Sequence, residues 1–243
     1  MADRYPYPGL GGHAPGESFE LGAEIARHIA QVLRASPGQR IVLFDGSGRE
    51  GDVSILRIDK RRLGVQLEEL RDCPRQASCR LELAFSPPKG SRAETLVEQA
   101  TALGCRAFQP LIYERTPKAQ RWTKVPARLE RVAWAVAGQC GLDRVPEFRE
   151  PCTLGEYLRQ AGQEGAGRRF LAEPQPETAS AALGNPSEDA LVIVGPEGDF
   201  TPSERESIHA AGCRSLDLGP FVLRIETAAI AAAARLLLPW PGR

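Results

Sequence analysis

Little in this sequence points away from an ordinary water-soluble fold. It has no run of 18 apolar residues, so no transmembrane helix is expected. Residues 1–12 are polar and rich in Pro, Tyr and Gly, without the apolar core of an export signal, and a cytoplasmic protein is expected. Six cysteines (Cys73, Cys79, Cys105, Cys140, Cys152 and Cys213) are scattered with no Cys-x-x-Cys pair. Neither a disulfide framework nor a metal site has the spacing it needs, so reduced thiols and no metal are expected. Net charge is missing too, since 31 Lys and Arg balance 31 Asp and Glu. Any nucleic-acid binding must therefore come from local patches. His13, His28 and His209 fall in no motif with chemical logic, and surface or packing roles are expected for them. No internal repeat occurs.

What the chain does have is enough apolar side chain, 42% of 243 residues, for one large or two smaller domains. Residues 1–74 read as a small β-barrel. Ile41-Val42-Leu43-Phe44 is a strand, Asp45-Gly46-Ser47-Gly48 has turn chemistry, and Val53, Ile55, Ile58, Val65, Leu67 and Leu70 mark further strands. One helix is expected over residues 23–33, with Ile25, Ile29, Val32 and Leu33 on one face. The polar, proline-containing stretch Arg71-Asp72-Cys73-Pro74-Arg75-Gln76 sets a domain boundary, so residues 75–243 form the second domain.

There the pattern alternates. Strands are expected at 81–85, 108–112, 191–194 and around Leu216 and Leu218, and helices at 92–103, 125–139 and 226–238. Thr153-Leu154-Gly155-Glu156 and Thr201-Pro202-Ser203-Glu204 are capping boxes that open two more helices. This order implies an α/β domain with a mostly parallel sheet.

Two stretches stand out. Val192-Ile193-Val194-Gly195-Pro196-Glu197-Gly198-Asp199-Phe200-Thr201 is an apolar strand breaking into a glycine loop before a capped helix. Leu216-Asp217-Leu218-Gly219-Pro220-Phe221-Val222-Leu223-Arg224-Ile225-Glu226-Thr227-Ala228 repeats the plan about 25 residues later. Ligands of α/β sheets bind at the carboxyl ends of strands, where glycines let backbone come close. Either loop alone is also what a plain tight turn requires, and Arg224 beside Glu226 also reads as an ion pair at a helix start. The pair of units tells more than either one.

These two stretches resemble the motifs of the small-subunit ribosomal RNA methyltransferase E family, of the SPOUT superfamily. His28-Ile29-Ala30-Gln31-Val32-Leu33-Arg34, Leu43-Phe44-Asp45-Gly46, Ala102-Leu103-Gly104, Pro110-Leu111, Glu114-Arg115-Thr116 and Gln139-Cys140-Gly141 continue the likeness in order. The resemblance implies a PUA-like β-barrel that binds RNA, then a SPOUT-type α/β domain with a trefoil knot, in a homodimer. It implies methyl transfer from S-adenosylmethionine to N3 of a uridine in 16S ribosomal RNA. The cofactor site would draw on Leu171, Gly195, Pro196, Glu197, Gly198, Leu218, Gly219, Leu223 and Thr227, with Ala172 and Glu173 beside Leu171. Arg224 is the candidate for stabilising charge on the base, and Glu226 the weaker candidate for taking its proton.

For RNA, the basic stretch around Trp122 is the candidate, with Arg115, Lys118, Arg121 and Lys124, together with Arg34. A solvated helix face explains that stretch almost as well. The pattern departs from the family at Asp199, where a second glycine is usual, and at Gln99, Ala102, Gly138 and Leu142. Two other functions are therefore weighed: a non-catalytic RNA-binding assembly factor of the same fold, and a superfamily enzyme acting on another RNA nucleotide.

Overall fold

The computed structural model describes residues 4–29, 35–59, 62–72, 77, 79–117, 121–163, 167–174 and 183–238. Two compact units emerge. One comprises Met1–Gln76 with Trp134–Val145, the other Ala77–Ala133 with Pro146–Arg243.

The first unit is a five-stranded sheet in the order β1-β3-β4-β5-β2. Its strands are β1 (Arg4–Pro6), β2 (Ser18–Leu21), β3 (Arg40–Phe44), β4 (Arg49–Ile58) and β5 (Leu63–Asp72). β1 runs parallel to β3 and the other neighbours are antiparallel. The β4–β5 ladder shifts register between Asp52 and Val53 and between Ile55 and Arg57, irregularities of the kind that bend a strand pair. Leu10, Leu21, Ile41, Leu43, Val53, Ile55, Leu63, Val65 and Leu67 fill its core. Strands β1 and β2 were not foreseen, because three or four residues carry no legible period. Helix α1 spans Ala23–His28, and residues 30–33 of the expected helix lie outside the described residues.

Why Trp134–Val145 joins this unit is visible in its contacts. Gly46 has φ +74°, and a Cβ there would collide with the Trp134 ring. The Gly46 carbonyl accepts from the Val145 N–H at 2.9 Å. Arg4, buried, pairs with Glu50 and with Asp143 at 2.8 Å, and donates to the Leu142 carbonyl at 3.0 Å. A Cβ on Gly138 would stand 3.5 Å from the Phe44 ring, an ordinary contact. Two of the departures from the family pattern, Gly138 and Leu142, thus lie in the packing of this unit.

The second unit is a parallel sheet in the order β12-β10-β11-β6-β7-β8, with β9 (Cys152–Thr153) also on β7. Its strands are β6 (Leu81–Phe85), β7 (Ala107–Ile112), β8 (Glu147–Phe148), β10 (Arg168–Glu173), β11 (Ala190–Val194) and β12 (Arg214–Asp217). The apolar runs of β6 and β11 are buried along nearly their whole length, as central parallel strands must be. Helices α2 (Arg92–Ala102) and α6 (Ile225–Leu237) pack together, with α6 lying on β6, β10 and β11; α4 (Leu154–Gln163) packs with α5 (Pro202–Ala210). Helix α3 (Ala127–Cys140) carries the chain from the second unit into Trp134–Val145 of the first. Gly104, at φ +95°, stops α2 by donating to the Thr101 carbonyl at 2.8 Å. Strand β10 was not foreseen as a strand, and β12 ends at Asp217, which moves Leu218 into the following loop.

Candidate active site at the ends of three parallel strands

Strands β10, β11 and β12 are neighbours and parallel, so the segments that follow them leave from the same end of the sheet. They wall a cavity of about 1280 Å³. The end of β10 and the residue after it contribute Ala172, Glu173 and Pro174, the second segment Gly195, Pro196, Glu197, Asp199 and Phe200, and the third Leu218 and residues 221–225. An open crevice at strand carboxyl ends is where α/β sheets take ligands.

The second loop is held at several points. The Tyr113 hydroxyl donates to the Val194 carbonyl at 3.2 Å, and burial pushes that phenol well above its usual range. Arg115 donates to the carbonyls of Gly198 at 3.1 Å and Phe200 at 3.4 Å. A Cβ on Gly195 would stand 2.6 Å from the Phe200 ring, so only glycine lets that ring lie across the loop. Asp199 has φ 59°, the sole non-glycine left-handed residue among those described. Its carboxylate accepts from the Phe200 N–H at 2.8 Å. Aspartate tolerates this region better than most side chains, which explains how it replaces the family's second glycine. Glu197 pairs with Lys89 at 3.2 Å and Arg92 at 3.1 Å. The Lys89 ammonium first, then Arg92, holds its carboxyl below the usual carboxylate range.

The third loop turns at Gly219, φ +97°, whose N–H meets Asp217 Oδ1 at 2.8 Å. Phe221 and Val222 beyond it are 74% and 88% exposed. Arg224 is the N-cap residue of α6, exposed, on the cavity wall, and without an ion pair among the described residues. Glu226 is buried in the first turn, does not line the cavity, and leaves Oε2 without a hydrogen-bond partner. The ion pair between Arg224 and Glu226 that the sequence allows does not form. Residues i and i+2 of a helix do not face each other.

Comparison with known proteins places this architecture. A model of the RNA methyltransferase domain matches residues 75–237, and a model of the RNA methyltransferase PUA domain matches residues 21–68. A ribosomal RNA small subunit methyltransferase E of Rickettsia conorii is 30% identical over 93% of this chain and 91% of its own. The chain belongs to the ribosomal RNA small subunit methyltransferase E family. A methyltransferase of Legionella pneumophila, solved with bound SAM, superposes with a TM-score of 0.82 at 29% identity, over 97% of both chains. A family member from Neisseria gonorrhoeae bound to S-adenosyl methionine gives 0.79 at 25% identity, over 97% of this chain and 96% of its own.

Within this family member, the nominated residues distribute unevenly. Gly195, Pro196, Glu197, Leu218, Leu223 and Arg224 line the cavity, whereas Gly198, Gly219 and Thr227 stand beside it in the same loops and helix turn. Leu171 does not line it: the side chain is wholly buried among Ala84, Leu111 and Ile193, in mid-strand. Its neighbours Ala172 and Glu173 take that place on the wall. Of the RNA candidates, Arg34 and Lys118 lie outside the described residues. Arg115 braces the second loop, and Arg121 folds back onto the Thr116 carbonyl at 3.1 Å. Trp122 stands edge-on to Phe85 at 6.5 Å, and Lys124 is exposed. Arg92, Arg205, Arg214 and Ser215 also line the cavity and were not nominated, for they sit outside the glycine motifs.

No described helix is long and apolar enough to cross a membrane. The described residues hold no cluster able to bind a metal, and Cys79, Cys105, Cys140, Cys152 and Cys213 are free thiols.

Proposed function

We propose that the protein transfers a methyl group from S-adenosylmethionine to N3 of a uridine in 16S ribosomal RNA. We further propose that it acts in the cytoplasm as a homodimer whose second unit threads the family's trefoil knot. The observation that carries the activity is the three-loop cavity with Arg224 on its wall, without an ion pair among the described residues, in a chain of this family.

The residues present suit the cofactor. Ala172, Val194, Leu218, Leu223 and Ala228 offer apolar lining for an adenine, and loop backbone offers its edge partners. About 1280 Å³ exceeds what one nucleoside-sized ligand fills, which leaves room for an acceptor base. When bound, the cofactor supplies an electrophilic methyl group. The protein's own task is to hold the uridine in line and to manage its N3 proton.

Arg224 is exposed at the wall, and it stabilises the charge that spreads onto the base oxygens as N3 loses its proton. Glu226, buried in the first turn of α6 with one carboxylate oxygen lacking a donor, is the weaker candidate for taking that proton, because it does not line the cavity. Lys124 and the basic stretch around it supply phosphate contacts.

The test is methyl incorporation from labelled S-adenosylmethionine into unmodified small ribosomal subunits, followed by nucleoside analysis. N3-methyluridine in 16S RNA is the expected product. Arg224→Ala should lower kcat by about 10²- to 10³-fold, with little change in KM for the cofactor. Label in another nucleoside would keep the enzyme class and discard the uridine. Absence of label despite cofactor binding would leave an RNA-binding assembly factor. Sedimentation analysis tests the dimer.

A further inference from the structure

Arg205 lies in the first turns of α5, where its N–H bonds the Thr201 carbonyl at 3.0 Å. Its guanidinium reaches three parts of the cavity wall. One nitrogen pairs with the Glu173 carboxylate at the end of β10, and another stands 3.2 Å from Asp199 Oδ1. The guanidinium carbon lies 5.5 Å from the centre of the Phe200 ring. The remaining oxygen of Glu173 accepts the hydroxyl of Ser215, on β12. One side chain thereby links the first loop to the second, and through Glu173 and Ser215 to the strand that leads into the third. All five of these residues line the cavity. A guanidinium suits the task because its edges donate in a plane while its face accepts an aromatic ring.

The arms differ in weight. The Asp199 side chain is 69% exposed, so its pair is worth little. The Glu173 side chain is only 10% exposed, and losing Arg205 would leave a buried carboxylate with, among the described residues, the Ser215 hydroxyl as its side-chain donor. Resting on the cofactor site proposed above, we infer that Arg205 is a positioning residue: it clips the first loop to the second and so sets the wall against which S-adenosylmethionine binds. The second loop's stronger hold on the clip is then the buried Phe200 ring under the guanidinium, with Asp199 adding an exposed contact beside it.

The test measures S-adenosylmethionine affinity by calorimetry, cofactor KM and kcat on small subunits, and thermal unfolding. The proteins are the wild type, Arg205→Ala, Arg205→Lys, Glu173→Gln and the double variant Arg205→Ala with Glu173→Gln. Arg205→Ala should raise Kd and KM at least tenfold, with kcat at saturating cofactor within about threefold of wild type. Arg205→Lys should recover part of the loss. The double variant should bind no worse than Arg205→Ala, since no orphaned charge remains. If Arg205→Ala does not fold, Arg205→Lys and Glu173→Gln carry the test, each with an expected threefold or greater rise in Kd. A folded Arg205→Ala with Kd within twofold of wild type, or with reduced kcat at unchanged KM, overturns the inference alone. A wild type that binds no S-adenosylmethionine removes the cofactor site beneath it as well.

Discussion

At Asp199 the backbone adopts a conformation that most L-residues avoid, and the side chain partly repays it by accepting the Phe200 N–H. Replacing it with glycine relieves about 1 kcal/mol of strain and gives up a hydrogen bond worth about as much. Asp199→Gly should therefore be near neutral in stability. Asp199→Ala keeps the strain and loses the bond, and should fall about 1–2 kcal/mol below Asp199→Gly in denaturant unfolding. Equal midpoints for the two variants would contradict this. Gly195→Ala raises a different problem, a Cβ placed 2.6 Å from the Phe200 ring. It should cost about 1–3 kcal/mol, and less when Phe200 is shortened to Leu, as melting of the single and double variants would show. The glycine motifs were legible because the need for such backbone shows directly in residue type. Arg205 and Ser215 were not, since they stand 32 and 42 positions away in the chain from their partner, Glu173. Leu171 lies off the cavity wall because an alternating strand sends adjacent side chains to opposite faces.

At the scale of elements, the capping boxes were the most readable signals. Thr201 accepts from Glu204 N–H at 3.2 Å, and the Glu204 carboxylate receives the Thr201 N–H at 2.8 Å. That carboxylate also accepts the Glu114 N–H at 2.8 Å, joining the start of α5 to the segment after β7. Thr201→Ala should cost about 1 kcal/mol. Glu204→Ala should cost more, because it strips partners from two backbone donors at once. Denaturant midpoints would rank them, and a Thr201→Ala penalty equal to or larger than the Glu204→Ala one would contradict the shared role. Glu197 ties the second loop to α2 through Lys89 and Arg92. Its folded-state pKa is depressed, so its contribution is present above the ordinary carboxylate value and is lost as pH falls through the depressed one. The stability gap between wild type and Glu197→Gln should thus be open at pH 7 and close in the acid range below about pH 4. All three groups reach solvent, which keeps the gap under about 1 kcal/mol. Short strands such as β1, β8 and β9 stayed invisible, as two or three residues cannot display a period of two.

For the whole molecule, composition and alternation sufficed for the class: short strands first, then strands and helices in turn. They could not reveal that Trp134–Val145 packs with strands more than 80 positions earlier in the chain. This segment covers Phe44, whose ring lies 5.6 Å from that of Trp134, and it supplies Asp143 to the buried Arg4, which also pairs with Glu50. Residues 1–76 alone would expose the Phe44 ring, worth about 2 kcal/mol of burial, and would leave the Arg4–Glu50 pair without its second carboxylate. A small β-rich unit has only about 5–10 kcal/mol to lose. The fragment 1–76 should accordingly unfold at markedly lower denaturant than the same fragment joined by a flexible linker to residues 134–145. Amide spectra should be poorly dispersed for the first and well dispersed for the second. Equal midpoints would show that the segment merely rests on a unit complete without it. A large rise on adding residues 134–145 would show that the N-terminal unit is finished only after half the chain has been made, so that it folds late although its strands come first.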